Sequence, residues 1–194
     1  MMFNLPNILS LFRLIAGPIG ALMLWAAFMS DTNEEATRWW SYALAFFIAG
    51  GVSDFLDGWL ARRMNQVSAF GAIIDPIADK VFVASFLIAM GIWTGLALAS
   101  YAIAAIIARD VVITFVRFSR LGREDVPLPV SFAAKFKTAF EMGAIGWYFA
   151  LAILPGGNQP WALEVWLWML WLAAALSLYT GLTYLWGIRK TSSG

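Results

Sequence analysis

Four aspartates stand close together in the segment "SDFLDGWLARRMNQVSAFGAIIDPIADK": Asp54, Asp57, Asp75 and Asp79. On a helix, Asp54 and Asp57 lie three apart and Asp75 and Asp79 four apart, so each pair projects from one face of its own helix. A short turn between two such helices would bring the pairs together. Four carboxylates at close range in a low-dielectric setting repel one another, so some must hold protons or a cation must sit among them. Two divalent cations would balance the four charges. Metals about 4 Å apart neutralise phosphate oxygens and stabilise an in-line displacement.

The residues between the pairs suit a phosphate ligand. Gly58 and Ala61 are small positions where a substrate can approach the backbone, and Gly71 gives the same closeness on the second helix. Arg62 adds a planar donor of the kind that pairs with phosphate. Two other readings use the same acids. They could be structural, paired with Arg62, Arg63 and Lys80 at a membrane surface, or they could form the pathway of a cation transporter. Against a pathway, the acids gather towards one end of their helices and no later apolar run supplies a chain of carboxylates.

The composition narrows the chemistry further. The chain has 194 residues, 61% hydrophobic and only 13% charged, about half the charged share of a soluble domain. Lipid must therefore solvate much of the exterior. The formal net charge of +1 carries no clustered basic excess of the kind that binds nucleic acid. There is no cysteine and no histidine, which removes disulfides, thiol nucleophiles, the usual zinc sites and serine-histidine arrangements. A catalytic metal would have to be a hard cation held by oxygen, magnesium or manganese.

These acids need long helices to position them. Six apolar runs reach the roughly 20 residues that cross a bilayer: approximately 8 to 29, 39 to 61, 71 to 92, 96 to 118, 136 to 154 and 161 to 187. The chain reads as one all-α integral-membrane domain over 1–194, with six transmembrane helices. In "NLPNILSLFR", Leu5, Ile8, Leu9 and Phe12 share one face while Asn7, Ser10 and Arg13 lie elsewhere, the pattern of a short interfacial helix before the first span. Basic residues alternate between connections: Arg62 and Arg63 in one, Arg117, Arg120, Arg123, Lys135 and Lys137 in another, Arg189 and Lys190 in the tail. The positive-inside rule then puts both termini and the aspartates on the cytoplasmic side. Trp39, Trp40, Trp93 and Trp161 fall near the opposite ends, where an aromatic belt is expected.

The spacing Asp54-x2-Asp57-Gly58-x2-Ala61-Arg62-x8-Gly71-x3-Asp75-x3-Asp79 resembles the complete signature of the CDP-alcohol phosphotransferase family. "LPNILSLFR", "IIARDVVITFVR" and "AAKFKTAFEM" also resemble family segments, the last two those of members that make phosphatidylglycerophosphate. The resemblance implies transfer of a phosphatidyl group from CDP-diacylglycerol to sn-glycerol 3-phosphate, with release of CMP. Phosphatidylglycerol as acceptor, giving cardiolipin, is the alternative; Lys137 stands where those members carry Asn, which favours a phosphorylated acceptor.

The same resemblance assigns roles. Asp54, Asp57, Asp75 and Asp79 would hold two divalent cations, magnesium or manganese, and Asp79 would also take the proton of the attacking hydroxyl. Gly58, Ala61, Arg62 and Gly71 would contact the CDP portion. Arg109, Arg117, Lys135 and Lys137 would receive the acceptor's phosphate, although an ion pair with Asp110 or another buried acid would also account for Arg109, and a positive-inside cluster for the group. For Arg120 and Arg123 the orienting role is preferred. The resemblance further implies a homodimer in a bacterial inner membrane. Glu141 and Glu164 receive no role, though Glu141 could pair with an arginine or face the cavity.

Overall fold

The computed structural model describes residues 5–64, 69–119, 132–153 and 159–191. Within these segments the side chains of residues 6, 57–64, 69, 70, 72, 117, 132–135, 190 and 191 lie outside the description. The described residues form six α-helices: α1 (Leu5–Met29), α2 (Asn33–Met64), α3 (Ala69–Thr94), α4 (Ala97–Ser119), α5 (Phe132–Leu151) and α6 (Pro160–Thr191). Each matches one of the six apolar runs.

Local chemistry sets several of the boundaries. Thr32 caps α2: its hydroxyl accepts from the Glu35 amide at 3.2 Å, and Glu34 and Glu35 in the first turn complement the positive end of the helix dipole. Gly95 follows α3 with φ +62°, the left-handed conformation that ends a helix most cheaply with glycine. Pro160 opens α6, where its missing N–H costs no helical bond.

The sequence pattern allowed a separate interfacial helix before the first span. Instead α1 runs unbroken from Leu5 to Met29, and its polar residues Asn7, Ser10 and Arg13 are buried. The polar stripe that suggests a membrane surface faces protein.

Three helices, over Asn7–Met29, Ala97–Val116 and Pro160–Arg189, are long and apolar enough to cross a membrane. Large side chains on these helices and others point outward, among them Leu22, Phe115, Trp168 and Trp186, as lipid contact requires and water does not favour. The helices are those of a membrane protein. α2, α3 and α5 carry the aspartate motif or the Lys137–Glu141 pair within their length.

The chain divides into two compact units, Met1–Thr94 and Gly95–Gly194. In the first, α1 packs along both α2 and α3. A Cβ built on Gly17 would lie 2.6 Å from the Phe82 Cα, so α1 and α3 approach at a distance only glycine permits. Gly50 of α2 faces the Phe82 ring. Phe82 and Phe86, both fully buried, meet edge to face with centroids 5.4 Å apart. Towards one end Phe28 stacks on Trp93 at 4.3 Å and meets Trp40 edge-on. The polar residues of α1, the last turns of α2 and the first turns of α3 lie at the other end.

In the second unit α6 packs along both α4 and α5. Trp166 is fully buried there, its ring 4.9 Å from that of Tyr148. The Trp147 indole donates to the Ala162 carbonyl at 2.9 Å.

Candidate active site

Two polar groups are built into the helices, one in each unit. The first forms where three helix ends meet. Asn7, Ser10 and Arg13 recur every three residues on α1 and continue the stripe that holds Gly17 and Gly20. One helical face thus changes from close-packing glycines to hydrogen-bonding groups as it nears its N-terminal end.

That face meets three of the four motif aspartates. The Arg13 guanidinium pairs through Nη1 with Oδ1 of Asp54 on α2, and its Nη2 lies 3.0 Å from Oδ1 of Asp79 on α3. The Ser10 hydroxyl donates to Oδ1 of Asp75. Arg13 is 2% exposed, whereas the side chains of Asp54 and Asp79 are half exposed. The cation is buried behind carboxylates that open outward. A buried charge survives only when paired, and here two acids on different helices share one arginine.

Asp57, Gly58, Ala61 and Arg62 continue α2 beyond Asp54, and their side chains lie outside the described residues. Gly71 is buried near the start of α3. The suggested structural partners Arg62 and Arg63 also lie outside the described side chains. Among the described residues, Asp54 and Asp79 both pair with Arg13, far away in sequence.

The donor chemistry of this group fits a hard divalent cation. Every candidate ligand is a carboxylate oxygen, and magnesium and manganese favour such oxygens while zinc and copper favour nitrogen and sulfur. Among the described residues no three acids are gathered closely enough to hold a metal ion.

The second group joins α4, α5 and α6. Lys137 Nζ lies 2.8 Å from both Asp110 oxygens and 3.1 Å from Glu141 Oε1. Arg109 donates to Asp110 at 2.8 Å and, through Nη2, to the Thr180 hydroxyl at 2.9 Å. That hydroxyl donates in turn to the Leu176 carbonyl at 2.8 Å. Gly181 makes room for the arginine stem: a Cβ there would lie 3.0 Å from Arg109 Cγ. Arg109 and Lys137 of the expected phosphate group therefore come together, through Asp110. Arg117 on α4 and Lys135 on α5 have side chains outside the description, and Arg120 and Arg123 lie outside the described residues altogether. Glu141 gains a partner in Lys137, while Glu164 is exposed in the second turn of α6.

The motif, the helical fold and the convergence of its aspartates define a class, and comparison with known proteins bears this out. The CDP-alcohol phosphatidyltransferase family model matches residues 3–179. The chain belongs to that family and is a transferase of phospholipid biosynthesis. It is 33% identical over 193 residues to a Shigella flexneri protein, covering 95% of this chain and 94% of that one. It is 32% identical over 198 residues to one from Escherichia coli K12, with the same coverage. Both relatives are named CDP-diacylglycerol–glycerol-3-phosphate 3-phosphatidyltransferase.

Proposed function

We propose that this protein transfers the phosphatidyl group of CDP-diacylglycerol to sn-glycerol 3-phosphate in a metal-dependent reaction, giving phosphatidylglycerophosphate and CMP. The observation that carries the reading is the convergence of Asp54, Asp75 and Asp79 from two helices on donors of a third. The names of the relatives support the substrates. The whole chain acts as one integral-membrane domain, a reading supported by a family match that runs through both compact units.

In this reading Asp54, Asp57, Asp75 and Asp79 hold two magnesium or manganese ions, which when bound supply positive charge to the pyrophosphate and the departing CMP. Gly58, Ala61, Arg62 and Gly71 receive the CDP portion, with backbone close to the nucleotide at the small positions and a planar donor at Arg62. Asp79 takes the proton of the acceptor hydroxyl. That oxygen bonds to the phosphorus bearing the diacylglycerol, and the bond from this phosphorus to the bridging pyrophosphate oxygen breaks, its electron pair leaving with CMP. No histidine competes for the role of base. Arg109, Arg117, Lys135 and Lys137 receive the acceptor's phosphate.

The protein spans the bilayer six times, with both termini and the aspartates cytoplasmic, in a bacterial inner membrane and as a homodimer. The basic connections and the aromatic group of Phe28, Trp40 and Trp93 at the opposite end of α1 to α3 support this orientation. The donor's acyl chains stay in lipid while its headgroup enters a polar cavity open to the cytoplasm.

The test is CMP release by purified protein with CDP-diacylglycerol and magnesium, with glycerol 3-phosphate or phosphatidylglycerol as acceptor. Release with glycerol 3-phosphate alone is expected. Release only with phosphatidylglycerol would move the activity to cardiolipin synthesis, and cation flux across sealed vesicles without lipid turnover would make the protein a transporter.

A further inference from the structure

Ser10 and Arg13 reach the motif aspartates from the buried side. Ser10 is fully buried and Arg13 is 2% exposed, yet the Asp54 and Asp79 side chains they stand behind or beside are 52% and 50% exposed. One guanidinium takes an oxygen from each of two carboxylates on different helices, and one hydroxyl takes an oxygen of the third. Both donors come from one face of α1, three residues apart.

We infer that Arg13 and Ser10 are positioning residues for phosphatidyl transfer: a buried pair of donors that fixes the carboxylates of Asp54, Asp79 and Asp75 for a divalent cation. This rests on the metal-dependent reading above. An unconstrained aspartate on a helix end rotates among several rotamers, and four such groups drawn together by a cation would each lose that freedom on binding. A planar guanidinium removes it beforehand, because its fork meets two acceptors in a fixed geometry that a lysine cannot reproduce. Donors behind metal-ligating carboxylates act in this way generally, and their removal lowers metal affinity.

A second physical effect has the opposite sign, so the two can be told apart. A guanidinium close to the aspartates repels an arriving cation, and if Arg13 were only a counter-charge its loss would tighten metal binding. If it orients the carboxylates, its loss weakens binding even though a repelling charge has gone.

The experiment is a direct titration of the full-length protein in detergent with Mn2+, reading free Mn2+ by electron paramagnetic resonance without substrates or turnover. Arg13→Gln is expected to weaken Mn2+ binding about tenfold or more. Arg13→Lys, which keeps the charge and loses the fork, weakens it as well. Ser10→Ala weakens it by a smaller factor, and because it strands no buried charge it carries the test even if Arg13→Gln fails to fold. Unchanged affinity in Ser10→Ala and Arg13→Lys, or tighter binding in Arg13→Gln, overturns the inference. Asp57→Asn, made first, separates this from failure of the metal reading: Mn2+ binding indifferent to Asp57→Asn would place the ion elsewhere and remove both.

Discussion

The ammonium of Lys137 stands 2.8 Å from both oxygens of Asp110, and Arg109 donates to the same carboxylate at 2.8 Å. One acid of α4 thereby gathers two cations, and Glu141 adds a second negative charge 3.1 Å from the ammonium. Among the described residues, two cations and two acids of this group balance in formal charge. Its cations are held in place by neighbours rather than by solvent. That suits a site where a phosphate must be met at a fixed point, and it also makes the group a stabilising element.

Asp110→Asn tests the second property. Removing one partner of a buried ion pair leaves a charge without compensation, a loss of about 3–5 kcal/mol. Thermal unfolding in detergent is expected to show a clearly lower Tm. Adding Lys137→Met to the same chain should return part of the loss, since the stranded charge is then gone and the two changes do not add. A Tm equal to that of the unaltered protein would mean that the group contributes nothing to stability.

Lys137→Met alone tests the first property through kinetics. A hydrogen bond to a charged group contributes about 1.5–3 kcal/mol, so the KM for glycerol 3-phosphate should rise about tenfold or more. The KM for CDP-diacylglycerol should stay nearly constant. Methionine is preferred to a charge reversal because a third acid beside Asp110 and Glu141 would unsettle the helices themselves. Equal rises in both KM values would take Lys137 out of the acceptor's pocket.

How far the sequence carried these readings depends on the range of the interaction. Each apolar run became a helix because the length of an apolar stretch is a local property, and α2, α3 and α6 run past the expected limits at both ends because helix formers continue beyond the apolar stretch. That Asp54, Asp75 and Asp79 lie towards one end of their helices was legible because their spacing falls within two consecutive helices. Arg13 was not. Its partners Asp54 and Asp79 come from other helices, and a pattern read along one helix offers only nearby cations such as Arg62, Arg63 and Lys80 as an alternative to a metal. The available signal was the stripe Asn7, Ser10, Arg13, Gly17, Gly20: a face that continues into close-packing glycines faces protein, and its polar residues face protein with it. Asp110 was read only as a possible neighbour of Arg109, because its contact with Lys137 joins α4 to α5.

Gly17→Ala should show how closely α1 is coupled to the site. Its new methyl would lie 2.6 Å from the Phe82 Cα, against backbone that cannot rotate away, so α1 must shift from α3. Overpacking of this kind costs about 1–3 kcal/mol. Because Arg13 sits one turn away on the same helix, both Tm and CMP release are expected to fall. Gly95→Ala is the control: no atom lies within 4 Å of its new methyl, so only the left-handed backbone resists, at about 1–2 kcal/mol, and turnover per folded molecule should not change. Equal loss of turnover in the two variants would break the link between α1 packing and the aspartates.

Asp79→Asn separates holding from proton transfer. The amide oxygen left by this substitution can still accept from Arg13, so α1 and α3 remain joined and the protein should insert and fold. What is lost is a carboxylate that can take the hydroxyl proton, a contribution of about 10²–10⁴ in rate, together with one negative charge for the metal. Asp57→Asn removes metal charge without touching the proposed base. CMP release should therefore disappear in both variants. Raising Mn2+ is expected to restore part of the rate in Asp57→Asn, where weak metal binding is the defect, and to restore little in Asp79→Asn, where no base remains. Equal recovery in the two would make Asp79 a metal ligand only, and the proton would have to leave through another group.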